Sequence, residues 1–311
     1  MTAAAGEAAI WRNGAFVRLW LAGTVSYLGS FVTRTALPLA AILVLGAGPL
    51  EISALRSLEL VGWLVVGLVA GAWVDRLRRR PVMVAADLGR MVLLGSIPVA
   101  AVLGVLSLAQ LIVVAFLAAT LSVFFDTAST AYLPTVVPEE RLVPANSALS
   151  ASAAAAEFTG FGLSGFLVQL FTAPIAIAVD AVSYLISAVT LATIDRAEPP
   201  RPAVHERQPV LREIRDGARA LMGSPVLRAL AGAHAATHVL WGVFGATYLL
   251  YAVNELGLGP AAIGVISAIG GLGGASAVLF IWFSPVRRMA ERGGIREGLA
   301  GLTVEDLPIT E

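Results

Sequence analysis

Long apolar runs recur along this 311-residue chain, and they restrict its fold more than any other feature. An α-helix needs about 20 mostly apolar residues to cross the hydrocarbon layer of a membrane. Eight runs of about that length are present, and we predict spans at residues 16–45, 52–74, 82–106, 111–133, 145–171, 175–194, 226–253 and 261–283. Charged residues make up only 14% of the chain, whereas soluble domains contain about 25%. The sequence therefore predicts an all-α, multi-pass membrane protein.

The basic residues are distributed unevenly between the connections. Arginines follow the second, fourth and sixth predicted spans and occur in both terminal segments, whereas the other connections contain none. Cytoplasmic loops of membrane proteins carry an excess of basic residues. We therefore expect a plasma-membrane protein with both termini in the cytoplasm.

The spacing of the spans predicts four regions. Residues 1–194 are expected to form a six-helix bundle, and residues 195–224 a cytoplasmic linker. Within this linker, residues 210–222 carry apolar side chains on one face and arginines on the other, which is typical of a helix lying on a membrane surface. Residues 225–283 are predicted to form a partial second half of two spans, and residues 284–311 a non-spanning cytoplasmic tail.

The motifs of soluble enzymes are absent from the sequence. There is no cysteine, and we find no phosphate loop, zinc motif or nucleophile elbow. Gly160, Gly162 and Gly165 match a nucleotide-binding glycine pattern by letter, but that motif requires a strand before it, and these residues lie inside a span. Close packing of helices through small residues is the better interpretation. We expect no enzymatic activity, no cofactor and no nucleic-acid partner.

A charged motif, Gly71-x-x-x-Asp75-Arg76-x-x-Arg79-Arg80, joins the second and third predicted spans. It resembles the loop signature of the major facilitator superfamily, although this chain has Arg78 where the family usually has a second glycine. Other motifs are similar to the enterobactin-exporter-like and macrolide-efflux-like branch of that family: Arg18-Leu-Trp-Leu-Ala-Gly, Thr33-Arg34-Thr-Ala-Leu-Pro38, Asp87-x-x-Arg90, Phe125-Asp126-Thr-Ala and Glu140-Arg141-Leu. The resemblance covers about residues 12–283.

This resemblance implies a major-facilitator fold, in which twelve helices form two six-helix halves, and the chain is similar to the first eight of them. It implies a proton-coupled or otherwise secondary active transporter for small amphipathic, siderophore- or drug-like molecules, an exporter or antiporter that works by alternating access. The alternative is a truncated, transport-incompetent product or a membrane scaffold that needs another chain, such as a second copy. In the family, the motif that contains Asp75 forms a cytoplasmic latch against the other half. A simple basic anchor is the alternative for this loop.

Four charged residues fall inside predicted spans, namely Arg34, Glu59, Glu157 and Asp180. Such residues are costly in lipid and are usually paired or functional. Counting about 1.5 Å per residue, Arg34 lies at the same depth as Asp180 and Glu59, so we predict an ion pair with one of them. A role in proton or substrate coupling is the alternative, and Glu157 is the better protonation candidate because it has no basic residue at its depth.

Five further polar residues are candidates. Asp87, Arg90 and Asp126 are predicted near the cytoplasmic ends of their helices. His234 and His238 are four residues apart and so share one helix face. A metal site would need a third ligand, which the nearby sequence does not offer. We therefore expect this pair to line a cavity or to form hydrogen bonds between helices.

Overall fold

The computed structural model of the chain describes residues 10–74, 76–196, 198 and 210–270. The regular structure within these residues is entirely helical. The helices are α1 (Gly14–Leu45), α2 (Pro49–Val74), α3 (Arg79–Val102), α4 (Leu108–Val136), α5 (Leu142–Leu170), α6 (Ala173–Ala192), α7 (Val210–Gly223), α8 (Pro225–Asn254) and α9 (Pro260–Gly270). A 3₁₀ turn, Glu139–Arg141, joins α4 to α5.

Each of the first seven predicted spans coincides with one helix whose bounds differ from the predicted ones by a few residues. The eighth prediction agrees with α9 at its start, but residues 271–283 of that span and the predicted tail at 284–311 lie outside the described residues. Five of the described helices, α1, α3, α4, α5 and α6, are long and apolar enough to cross a membrane. The all-α membrane fold is therefore confirmed. The division into domains and the cytoplasmic position of the termini stay predictions.

The helix boundaries follow from local capping. The Asn13 side chain accepts hydrogen bonds from the first backbone amides of α1, and Gly46, with a φ of 67°, ends that helix in the left-handed conformation. The hydroxyl groups of Ser107, Thr172 and Ser224 accept backbone hydrogen bonds at the starts of α4, α6 and α8. Serine, threonine and asparagine are favoured at these positions because they satisfy otherwise unpaired amides, and glycine is favoured where φ is positive.

Helices α1 to α6 pack into a bundle. Helix α1 packs along α5 and α6, α3 packs along α4 and α6, and α2 packs along α4. Two buried apolar clusters fill the bundle. One includes Phe16, Met83 and Phe125, and the other includes Leu39 and Ile177. Between these clusters along α1, α3, α4 and α6 lies a layer of polar side chains.

Glycines allow the close approach of α5 to its neighbours. A Cβ atom added to Gly165 would lie 2.7 Å from the Gly264 Cα atom of α9, and one added to Gly160 would lie 3.1 Å from the Leu28 carbonyl oxygen of α1. Real side chains do not tolerate the first of these distances. The prediction that these glycines serve helix packing is confirmed.

Candidate functional site

Polar side chains from four apolar helices meet inside the bundle. We call this group the polar cluster. Its members are Tyr27, Ser30 and Thr33 of α1, Asp87 and Arg90 of α3, Ser122 and Asp126 of α4, and Asp180, Ser183, Tyr184 and Ser187 of α6. Buried polar groups are costly unless they form hydrogen bonds or ion pairs.

Arg90 stands at the centre of the polar cluster, halfway along α3. Its guanidinium donates hydrogen bonds to the Asp87 carboxylate, three residues earlier, and to the Ser122 hydroxyl oxygen at 3.1 Å. Its central carbon lies 4.2 Å from the centre of the Tyr184 ring and 4.6 Å from that of Phe125. Arg90 and Asp87 are 2% and 0% exposed, so this is an ion pair removed from solvent.

The Asp126 carboxylate lies at the edge of the cluster. It accepts a hydrogen bond from the Tyr27 hydroxyl at 2.9 Å. Both side chains are partly exposed, in contrast to the buried Asp87. Asp126 is therefore the least buried of the three carboxyl groups of the cluster.

Asp180 occupies a tight position between α1 and α6. It is fully buried, and it accepts a hydrogen bond from the Ser183 hydroxyl at 3.0 Å. A Cβ atom at Gly29 of α1 would collide with both groups, so the close approach of these helices requires glycine there. Among the described residues, the Oδ2 atoms of Asp180 and Asp87 have no hydrogen-bond partner.

The polar cluster contains three carboxyl groups and one guanidinium. Close carboxylates cannot all be ionised in a buried site without a large cost, and protonation relieves it. The arrangement is therefore chemically suited to hold and release a proton.

The predicted ion pair of Arg34 with Asp180 or Glu59 is wrong. Glu59 instead pairs with Arg56 at 3.1 Å, because these residues lie three apart on one face of α2. Asp180 faces Gly29 on another side of α1. The Arg34 guanidinium lies 5.8 Å from the centre of the Phe31 ring and is exposed. Counting residues along a helix does not give the direction of a side chain around the helix axis, and this direction decides which residues pair.

The remaining predicted residues have separate positions. Asp87, Arg90 and Asp126 lie together in the polar cluster, and Arg90 is at mid-helix instead of at the cytoplasmic end that we predicted. Glu157 is exposed on α5, and its protonation stays a prediction. The two histidines, at positions 234 and 238, lie on α8, but their side chains are outside the described residues.

The charged loop is fixed to the end of α6. The Arg80 side chain donates hydrogen bonds to the Leu191 carbonyl oxygen at 3.0 Å and to that of Ala192. The Glu198 carboxylate accepts hydrogen bonds from the backbone amides of Arg79 at 2.8 Å and Arg80 at 3.0 Å. A negatively charged side chain at the N-terminus of a helix and a positively charged one at the C-terminus both stabilise the helix through its dipole.

These contacts give Arg79 and Arg80 a structural role within the first six helices. Gly71 lies in α2, where an added Cβ atom would meet nothing within 4 Å. Arg76 follows α2 and is partly buried. Asp75, however, lies outside the described residues, so the latch between the two halves stays a prediction.

Comparisons with known proteins agree on one family. A sequence model of the Major Facilitator Superfamily matches residues 19–302. The protein named "Uncharacterized MFS-type transporter YfiS" of Bacillus subtilis is 27% identical over 228 residues, which cover 71% of this chain and 52% of that protein. The MFS-type transporters Rv0037c of Mycobacterium tuberculosis and Mb0038c of Mycobacterium bovis are each 34% identical over 114 residues, covering 37% of this chain and 26% of each relative. The matched part of this chain thus spans about half of the Bacillus protein and about a quarter of each mycobacterial one.

Proposed function

The chain belongs to the major facilitator superfamily, and we propose that it is a secondary active transporter that exports small amphipathic molecules by alternating access. Membership of this family makes it a multi-pass protein of membrane transport and not an enzyme. The export direction, the siderophore- or drug-like substrate class, proton coupling and the plasma membrane with cytoplasmic termini are parts of the proposal.

The polar cluster carries the proposal. Charged residues inside membrane-spanning helices usually mark substrate or proton pathways, and this cluster contains Asp87, Arg90, Asp126 and Asp180 between two apolar clusters. A purely structural ion pair would need only Asp87 and Arg90. Two further carboxyl groups support proton coupling, with Asp126 at the exposed edge and Asp180 at the buried end.

Flux through the purified protein in liposomes tests the function. Proteoliposomes with an imposed proton gradient are mixed with siderophore-like and macrolide-like compounds. For protein that is inserted with its cytoplasmic side outward, we expect uptake of the transported compound into the liposomes. This uptake should stop when an ionophore removes the proton gradient. The Asp126→Asn variant keeps the size of the side chain but cannot ionise, so we expect its gradient-driven flux to fall at least tenfold. Glu255→Gln, an exposed residue at the end of α8, is the matched control and should transport normally.

Each result decides between the proposals. Flux that is equal with and without the gradient would contradict proton coupling. If folded and inserted protein shows no flux of any compound, transport by this chain alone is contradicted, and the alternative of a scaffold that needs another chain is supported. Cross-linking of the inactive protein would then show whether that partner is a second copy.

A further inference from the structure

One face of α1 carries a line of large and polar side chains that the polar cluster only partly uses. Trp20, Thr24, Tyr27, Phe31 and Arg34 are spaced three or four residues apart, so they share one face of the helix. All five are partly or fully exposed. We call this line the inner face of α1.

Contacts to three helices show which way the inner face points. Helix α1 packs mainly along α5 and α6. At the inner face, Tyr27 contacts Asp126 of α4, and the Arg34 carbonyl oxygen accepts a hydrogen bond from Arg56 of α2 at 2.9 Å. Trp20 on the same face donates a hydrogen bond to the Ser152 hydroxyl of α5. The face is therefore turned toward α4, between α2 and α5, and away from the side that packs against α6.

Arg34 differs from the two arginines of the bundle that form ion pairs, Arg56 and Arg90. Arg90 is paired with Asp87, and Arg56 is paired with Glu59. In the part of the chain that the structure describes, no carboxylate pairs with Arg34. At about 1.5 Å per residue, Arg34 lies about 16 Å along α1 from the Leu45 end, inside a helix that is long and apolar enough to cross a membrane.

An aromatic pair lies beside this guanidinium. The rings of Phe31 and Phe161 of α5 meet edge to face, with their centres 5.5 Å apart and their planes at 61°. Arg34 lies over the Phe31 ring. Both phenylalanines are partly exposed, so a ligand at the inner face would meet an apolar ring surface and an unpaired positive charge together.

We propose that Arg34, Phe31 and Phe161 form a substrate subsite for an aromatic organic anion. The guanidinium binds the anionic group through two parallel hydrogen bonds, as arginine does with carboxylates, and the substrate ring packs against the two phenylalanines. This inference rests on the transport function proposed above and narrows its amphipathic substrates to those with a negative group next to a ring.

A pair of probes that differ only in charge tests the subsite. Dansylglycine is an aromatic carboxylate, and dansylglycinamide is its neutral counterpart. Their binding to the purified full chain in nanodiscs is measured by fluorescence anisotropy. We expect the wild-type protein to bind the acid roughly tenfold or more tightly than the amide, as a charge-assisted hydrogen bond provides.

The variants separate charge from ring packing. Arg34→Gln should remove the preference for the acid while leaving the affinity for the amide unchanged. Arg34→Lys should keep part of the preference for the acid because the positive charge remains. Phe161→Leu should weaken both probes by a similar factor. Arg228→Gln, an exposed arginine on α8, is the matched control and should keep the wild-type preference.

Two results would overturn the inference. One is a wild-type protein that binds acid and amide equally or binds neither, and this result needs no variant. The other is an Arg34→Gln protein that keeps the preference for the acid. If Arg34→Gln does not fold, the wild-type ratio and the Phe161→Leu result decide. Gradient-driven flux of other compounds in the liposome assay would then show that the transport function stands without this subsite.

Discussion

The buried ion pair between Arg90 and Asp87 allows a quantitative prediction about stability. Arg90 is the one guanidinium among three carboxyl groups of the polar cluster, and it also donates to Ser122. Removing one partner of a buried pair costs about 3–5 kcal/mol, because the other charge is left without compensation. We therefore expect Arg90→Gln to lower the free energy of unfolding by about that amount.

Changing the other partner of the pair, Asp87→Asn, should lower the free energy of unfolding by less. Asp87→Asn keeps an oxygen that can accept from Arg90, and the charge of Arg90 still has Asp126 and Asp180 nearby. Its cost should be close to that of a weakened hydrogen bond to a charged group, about 1.5–3 kcal/mol. In the double variant, Asp87→Asn removes a carboxylate that Arg90→Gln had left unpaired, so the double variant should be more stable than Arg90→Gln alone.

Equilibrium unfolding of the detergent-solubilised protein in increasing SDS measures these values, with Arg228→Gln as the control for loss of an exposed arginine. The reasoning is refuted if Asp87→Asn costs as much as Arg90→Gln. It is also refuted if the two costs add in the double variant, since independent sites add and coupled ones do not.

Three further predictions concern packing, capping and topology. Gly165→Leu should force α5 away from α9 and lower the free energy of unfolding by about 1–3 kcal/mol or more. The control is Gly232→Leu, which should be tolerated because an added Cβ atom there meets open space. Equal effects of the two changes would contradict the glycine contact. Glu198→Gln should lower the free energy of unfolding by about 0.5–2 kcal/mol, in the range of a lost helix cap, and an unchanged unfolding curve would show that this cap is not formed. Because the chain has no cysteine, a single cysteine at Gln208 should react with an impermeant maleimide only from the cytoplasmic side; reaction from outside the cell would contradict the predicted topology.

The helices were predictable from the sequence because apolar runs and capping residues are both local signals. Asn13 and Ser107, for example, stand directly before the helices that they cap. The glycine contact at Gly165 was predictable as well, since small residues inside a span indicate close packing.

The composition of the polar cluster was not predicted, because it depends on how each helix is rotated about its axis. Counting residues does not give the direction in which Arg34 points, and Thr33, one residue earlier, is turned by about 100° relative to it. Tyr27 and Asp126 are 99 residues apart in sequence, and no local pattern connects them. A partial signal existed in the spacing of Ser26, Ser30 and Thr33, which marks a polar side on α1.

The contact of Glu198 with α3 was also missed. Its carboxylate binds amides 118 and 119 residues earlier in the chain. An acidic residue in a proline-rich connection carries no sign of such a partner, so this cap could only be found from the fold.

Alternating access at the inner face of α1 is the central claim, and a single cysteine at Thr24 tests it most directly. Thr24 is small, partly exposed and next to Tyr27 on that face. In proteoliposomes of known orientation, we expect an impermeant maleimide to label Thr24→Cys from either side of the membrane, in proportions that shift when the proton gradient is reversed. Labelling from one side only, whatever the gradient, would contradict alternating access.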